Sequence, residues 1–240
     1  MTIYEMEGGR RLEGELSAQG AKNAALPLLS AALLSREVSV LEHCPDIDDV
    51  NVQAQILETL GCRVTREGER LTIDAAGAEG FEVPRALMGR MRSSVMVLGA
   101  LLGRFGLADV ALPGGCDFGG TRPIDQHLKG FRALGAHVDT QSGFVIAEAT
   151  EGRLRGANVF FDKVSVGATI NIMLAATLAD GMTVLENVAK EPHIVDVANF
   201  LNSMGANIMG AGTDVIKIRG VKQLYGGTYS IIPDQIEAGT

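Results

Sequence analysis

The chain has 240 residues, 46% of them hydrophobic and 21% charged, with a formal net charge of −8 at pH 7. This globular profile excludes a disordered chain and allows one large domain or two small ones; the acidic balance excludes a general nucleic-acid binder, which would carry a basic footprint. An anionic ligand would have to be held by a local cluster of Lys and Arg working against the overall field.

In chain order, Thr2–Met6 and Arg11–Ser17 read as short strands in a charged, polar N-terminal stretch with no signal-peptide pattern. An apolar helix follows over Asn23–Leu34, then a strand at Val38–Leu41. Next comes an amphipathic helix carrying Val50, Ala54, Leu57 and Leu60, and strands at Cys62–Val64 and Arg70–Ile73. The same order recurs twice. Apolar helices at Ser93–Leu102 and Gly167–Leu178 precede strands at Ala108–Leu112 and Thr183–Leu185. The matching amphipathic helices carry Ile124, Leu128, Phe131, Leu134 and Ile194, Ala198, Leu201, Met204. Strands at Ala136–Val138, Gly143–Ala147, Ala206–Ile208 and Val215–Ile218 complete the two units.

The apolar spacing of 0, 4, 7 and 10 is one face of a helix. Each amphipathic helix ends on a glycine, Gly61, Gly135 or Gly205, in the position of a left-handed C-terminal stop. The apolar helices are hydrophobic nearly all round and should be buried. Three such units predict a closed pseudo-threefold α/β arrangement with buried inner helices and outer sheets; their period is too long for ordinary solenoids. Gly226–Ile232 reads as a further strand. Ala238-Gly239-Thr240 is similar to Gly167-Ala168-Thr169, as though a fourth unit begins there. The expected layout is 1–20 as strands of a second domain, 21–230 as the three-repeat domain and 231–240 as the start of the second domain. The chain then reads as the N-terminal part of a longer protein or as a shortened relative.

Leu112–His127 stands apart. Four glycines (Gly114, Gly115, Gly119, Gly120) loosen the backbone around Cys116, and Arg122, Asp125 and His127 follow closely. A thiol on such a loop beside a cation can be accessible and partly ionised, so Cys116 is a candidate reactive group. Cys44 and Cys62 sit in apolar surroundings and read as packing residues. Three cysteines without regular spacing suggest neither a disulfide framework nor a zinc site. The longest apolar runs have eleven residues, too few to span a bilayer, so a soluble cytoplasmic protein is the simplest reading.

Polar and cationic residues gather where the inner helices begin: Lys22-Asn23, Arg92-Ser93, and Lys163-Val164-Ser165-Val166-Gly167. Helix N-termini carry unpaired N–H groups and suit phosphate or carboxylate. With threefold symmetry the three would share one face, and Arg122 would add a forked contact. Taken singly they have plainer readings. Ser93 and Ser165 read as helix caps, Lys22 and Lys163 as solvated charges, Arg92 as a surface partner of Arg90, and His127 as a partly buried histidine. Glu191-Pro192 reads as a helix start.

These motifs together resemble the UDP-N-acetylglucosamine enolpyruvyl transferase family, from about Gly8 to Thr240. The residues that carry the likeness are Gly20–Pro27, Met91–Ser94, Leu112–Cys116, Arg122–Asp125, Asp162–Thr169 and Pro233-Asp234. The resemblance implies an inside-out α/β barrel. It also implies transfer of the enolpyruvyl group of phosphoenolpyruvate to the 3′-hydroxyl of UDP-N-acetylglucosamine with release of phosphate. That is the first committed step of peptidoglycan synthesis, on which cell-wall biogenesis, cell shape and division depend. No cofactor or metal is implied. Carried over, Cys116 would donate a proton, and Lys22, Asn23 and Arg122 would hold phosphoenolpyruvate. Asn23, Arg92, Arg122, Pro123, Ile124, Asp125, Gln126, Lys163, Val164, Ser165, Val166 and Gly167 would contact the nucleotide sugar.

Two features depart from the family pattern. The cysteine-to-arginine spacing is one residue longer, with Thr121 or a neighbour as the insertion, and Gln126 stands where an apolar residue is common. The resemblance also implies a second domain across the cleft that would supply a catalytic base and a further arginine, neither of which can be located in this sequence. Two other readings remain beside this one: a nucleotide-sugar-binding module without turnover, and a transferase acting on shikimate phosphate. The cysteine loop and Lys163–Gly167 point away from the last.

Overall fold

The computed structural model describes residues 3, 5, 7–9, 11, 13–112 and 124–240. The first unit runs α1 (Lys22–Ala32), β1 (Val38–Glu42), α2 (Asp48–Thr59), β2 (Arg63–Glu67), β3 (Arg70–Asp74). The second opens with β4 (Glu82–Val83), α3 (Arg85–Met88) and a 3-10 turn (Arg92–Val95). It continues with α4 (Met96–Phe105), β5 (Leu107–Ala111), α5 (Asp125–Ala133), β6 (Ala136–Gln141) and β7 (Phe144–Ala149). The third is β8 (Asn158–Phe160), α6 (Val166–Ala176), β9 (Met182–Glu186), α7 (Pro192–Ser203), β10 (Asn207–Met209) and β11 (Val215–Arg219). β12 (Gly227–Ser230) and α8 (Gln235–Gly239) complete the chain.

The expected helix stops are present. α2, α5 and α7 end at Leu60, Leu134 and Met204, and the glycines that follow have φ of 97°, 86° and 100°. A side chain there would be strained, so glycine turns the chain into the next strand. The inner helices α1, α4 and α6 are buried nearly throughout, as hydrophobicity on all sides requires. Small residues let two of them approach closely: a Cβ on Gly99 of α4 would lie 2.2 Å from the Asn171 carbonyl oxygen of α6.

Each unit forms a four-stranded sheet, ordered β12-β1-β3-β2, β4-β5-β7-β6 and β8-β9-β11-β10. In each, the first pair is parallel and the others antiparallel. The sequence predicts all four strands of the first sheet and three in each of the other two. It misses β4 and β8, which at two and three residues are too short to display an alternating pattern. The strand expected at Gly226–Ile232 exists, but as β12 it joins the first unit's sheet, pairing Ser39 with Gly227 through Glu42 with Ser230. The third unit thereby closes onto the first, and the three sheets surround the inner helices as an inside-out α/β barrel.

Of the strands expected near the N-terminus, Thr2–Met6 falls largely outside the described residues, and Arg11–Ser17 is a correction. Among the described residues of 3–19 none is in a strand, and Leu16 is fully exposed. A strand needs a neighbour for its N–H and C=O groups, and the described structure offers this segment none. Pairing begins only at Gly20, which forms an isolated antiparallel bridge with Pro233. Among the described residues no helix is long and apolar enough to cross a membrane.

Candidate active site

The three inner helices begin at the same end of the barrel, as the symmetry predicted. There they open onto a cleft of about 670 Å³ lined by Lys22, Asn23, Arg92, Ser93 and Lys163–Gly167. Asp49, Arg90, Asp125, Gln126 and His127 complete much of its wall. N–H groups at helix N-termini and cationic side chains thus face one space, an arrangement suited to a diphosphate or carboxylate.

Local chemistry sets each group. The α6 start is capped by Ser165, whose hydroxyl accepts from the Ala168 N–H at 3.3 Å. Ser93 is not a cap, contrary to the sequence reading: the 3-10 turn already includes it, and neither that turn nor α4 has a side-chain cap. Its neighbour Ser94 is the buried hydroxyl, donating to the carbonyls of Met91 and Met88 at 2.7 and 3.0 Å. Lys22 is not simply solvated, since its ammonium lies 2.5 Å from Asp49 on α2. Asp48, beside it, holds Arg90 at 2.9 Å, so the first turn of α2 orients two of the cleft's cations.

His127 is the site residue that sequence reasoning undervalued. It is only 4% exposed, yet it lines the cleft. Its Nδ1 lies 2.9 Å from Asn171 Nδ2, while Asn171 Oδ1 accepts from the Gly99 N–H at 2.7 Å and Nδ2 also donates to the Val95 carbonyl at 2.9 Å. That amide orientation makes Nδ1 an acceptor, so the imidazole proton sits on Nε2. A Cβ added to Gly167 would lie 3.2 Å from that Nε2, which places the donor against the start of α6. Burial, reinforced by the charge of Arg92 and opposed by Asp125, pushes the His127 pKa down to about 4. At neutral pH it is an uncharged donor. The one clue in the sequence is Asn171, a lone amide within an inner helix that is otherwise almost wholly apolar.

This shift has a thermodynamic consequence. The unfolded histidine titrates near its ordinary 6.5 and the folded one near 4, so the unfolded state binds the extra proton. The associated stability is complete above pH 6.5 and is lost as pH falls from 6.5 to 4, by about 3 kcal/mol at about 1.4 kcal/mol per pKa unit. Urea denaturation across that range should show a slope that His127→Gln reduces, with His193, also lowered by burial, keeping a part of it; equal slopes in both proteins would rule the assignment out.

Residues 6–240 match the family described as EPSP synthase (3-phosphoshikimate 1-carboxyvinyltransferase). The chain belongs to that family. Among its relatives, the chain is 56% identical over 242 aligned positions to UDP-N-acetylglucosamine 1-carboxyvinyltransferase of Clostridium botulinum, with all of this chain and 57% of the relative covered. It is 54% identical over 240 positions to UDP-N-acetylglucosamine 1-carboxyvinyltransferase 3 of Caldanaerobacter subterraneus subsp. tengcongensis, again covering all of this chain and 57% of the relative. Among solved structures it is similar to the enolpyruvyl transferase NikO from Streptomyces tendae, at a TM-score of 0.83 and 27% identity over 96% of this chain and 54% of that one. EPSP synthase of Acinetobacter baumannii shares the fold, with a TM-score of 0.74 at 19% identity over 92% of this chain and 50% of that one. The chain therefore spans 57% of the length of the curated relatives it matches.

Within this EPSP-synthase-family domain, the structure brings together Lys22, Asn23, Arg92, Asp125, Gln126 and Lys163–Gly167 as lining residues of one cleft. Ile124 lies just before α5 and is buried behind the wall. Cys116, Arg122 and Pro123 lie outside the described residues. Cys44 and Cys62 are buried free thiols, as expected, and burial pushes Cys62 up to about 11. Glu191, expected as a helix start, is the N-cap residue of α7. Its Oε2 is buried without a hydrogen-bond partner among the described residues, beside a smaller pocket that Asn23, Ser93 and His193 also line. Among the described residues no group of three or more His, Cys, Asp or Glu is placed to hold a metal ion.

Proposed function

We propose that this chain binds UDP-N-acetylglucosamine and phosphoenolpyruvate in the cleft, and that it supplies one wall of an enolpyruvyl transferase in peptidoglycan synthesis. The observation that carries the reading is the convergence of three pseudo-equivalent helix N-termini, with Lys22, Arg92 and Lys163, on one space of about 670 Å³. The relatives named as UDP-N-acetylglucosamine carboxyvinyltransferases support the choice of nucleotide sugar.

In this reading the backbone N–H groups of Ser165–Gly167 and the Lys163 ammonium take the diphosphate, and His127 Nε2–H adds an uncharged donor beside them. Lys22 and Asn23, with Arg122, take the phosphate and carboxylate of phosphoenolpyruvate. Cys116 gives a proton to the methylene carbon, and the electron deficiency moves to the adjacent carbon. The sugar 3′-hydroxyl oxygen bonds to that carbon and loses its proton to a base. Phosphate then leaves with the electrons of its bond to that carbon as the methyl group returns a proton to the Cys116 thiolate, which restores the vinyl group and the thiol. Fixed cations hold the reacting groups in register, and a closed cleft keeps water from the cationic centre. The base and a further arginine would come from the part of the relatives that this chain does not span. The cytoplasm as its setting belongs to the same proposal; the free thiols of Cys44 and Cys62 fit a reducing compartment.

A second reading is a nucleotide-sugar-binding module without turnover, since the described lining of the cleft consists largely of groups that hold anions and polar ligands. Calorimetric titration of the chain with UDP-N-acetylglucosamine, paired with a phosphate-release assay on adding phosphoenolpyruvate, separates the two. Lys163→Ala should weaken binding roughly ten-fold or more, as removal of one charge-assisted contact of about 1.5–3 kcal/mol predicts. Binding without phosphate release selects the module reading, and no binding at millimolar ligand overturns both.

A further inference from the structure

We propose that Gln126 is a positioning residue that sets the anion-binding backbone of 162–167 in place before any ligand arrives. The inference rests on the nucleotide-sugar reading of the cleft. Gln126 is 8% exposed, on the first turn of α5, and all of its amide is used. Its Oε1 accepts from the Asp162 N–H at 2.9 Å, and its Nε2 donates to Asp162 Oδ2 at 3.3 Å and to Asp125 Oδ2 at 3.1 Å. One side chain therefore ties the backbone and carboxylate of residue 162 to the start of the second unit's amphipathic helix. Residue 162 is followed directly by Lys163–Gly167, the stretch that lines the cleft and begins α6.

Two physical effects follow. Fixing residue 162 from a buried neighbour removes backbone freedom that a ligand would otherwise have to freeze on binding. The Asp162 carboxylate is also kept occupied away from the cleft: Gln126 takes one oxygen, and the Lys129 ammonium takes the other at 2.7 Å. These hydrogen bonds hold the Asp162 carboxyl below its usual range, with Lys129 the larger cause. An unrestrained carboxylate beside Lys163 would compete with a diphosphate for that ammonium. An apolar residue at 126 supplies neither effect, because it has no acceptor for the Asp162 N–H and no donor for its carboxylate.

The test uses Gln126→Met, which keeps the length of the side chain without its amide. Hydrogen exchange of the full chain is measured together with calorimetric binding of UDP-N-acetylglucosamine. Exchange at residues 162–167 should quicken while that of α1 is unchanged, and the Kd should rise roughly five- to ten-fold. An unchanged Kd in a variant beside a wild-type chain that binds overturns the proposal, and so does faster exchange spread evenly over the domain. A wild-type chain that does not bind refutes the nucleotide-sugar reading instead, and the exchange result alone then decides the positioning role. If Gln126→Met fails to fold, Asp162→Ala removes the exposed side of the same contact and should show the same localised exchange.

Discussion

Asn171→Leu is expected to cost this domain about 3–5 kcal/mol of unfolding free energy, a large part of the margin of an ordinary domain. The substitution is close to isosteric, so the loss is in hydrogen bonding rather than volume. Asn171 sits fully buried on α6, accepts from the Gly99 N–H, and donates to the Val95 carbonyl and to His127 Nδ1. Leucine removes the side-chain bonds to Gly99 and Val95 and leaves His127 Nδ1 without its amide partner in the interior, and a buried polar group left unpaired costs about 1–3 kcal/mol. It also presents a branched side chain to Gly99, where the existing Oδ1 would lie only 2.3 Å from an added Cβ. Urea denaturation with an unchanged slope would report the loss, and a loss below about 1 kcal/mol would refute the role given to this amide. Because Asn171 also fixes the tautomer of His127, Asn171→Asp should raise the His127 pKa from about 4 by placing a carboxylate beside Nδ1, an effect visible by NMR titration.

Arg104→Met is expected to cost about 2–4 kcal/mol. Arg104, in the last turn of α4, donates through Nη1 to the carbonyls of Leu33 and Ser35 at 2.6 and 2.8 Å. Through Nη2 it reaches the carbonyls of Ala75 and Ala78 at 2.8 and 3.3 Å. One guanidinium thus satisfies the C-terminal end of α1 and the connection from the first sheet into β4. Burial lowers its pKa, but an arginine remains charged, and its charge favours the free carbonyls of a helix C-terminus. Arg104→Lys should recover only part of the loss, since an ammonium cannot span four carbonyls with the reach of a planar fork. Full stability in the lysine variant would show that charge alone, not geometry, holds the seam. Thermal and urea unfolding of the two variants read this directly.

Much of this architecture is legible in the sequence. Apolar positions at helical spacing, repeated three times and each closed by glycine, predicted α2, α5 and α7 with their left-handed stops at Gly61, Gly135 and Gly205. The all-round apolar helices predicted the buried centre for the same reason: a helix without a polar face has to be covered on every side. The placement of Lys22, Arg92 and Lys163 at equivalent points predicted their convergence, which the cleft displays. The strand expected at Arg11–Ser17 is not formed among its described residues, because residue types along a segment cannot provide the neighbour that makes it a strand. β4 and β8 were invisible because two or three residues carry no period.

By itself, the sequence determined the repeat, the layering of helices inside sheets, and which side chains stand where inner helices begin. These are local properties, set by periodicity and by the left-handed backbone that glycine permits. Only the tertiary structure decided the long-range pairings. β12 crosses from the end of the third unit to β1 and closes the barrel. Asp49 takes the ammonium of Lys22, and Asn171 turns a buried histidine into a neutral donor at the cleft. Gln126 reaches across 36 positions to hold the segment that follows Asp162. Such contacts depend on which surfaces meet when separate elements pack, and no pattern along the chain encodes that meeting.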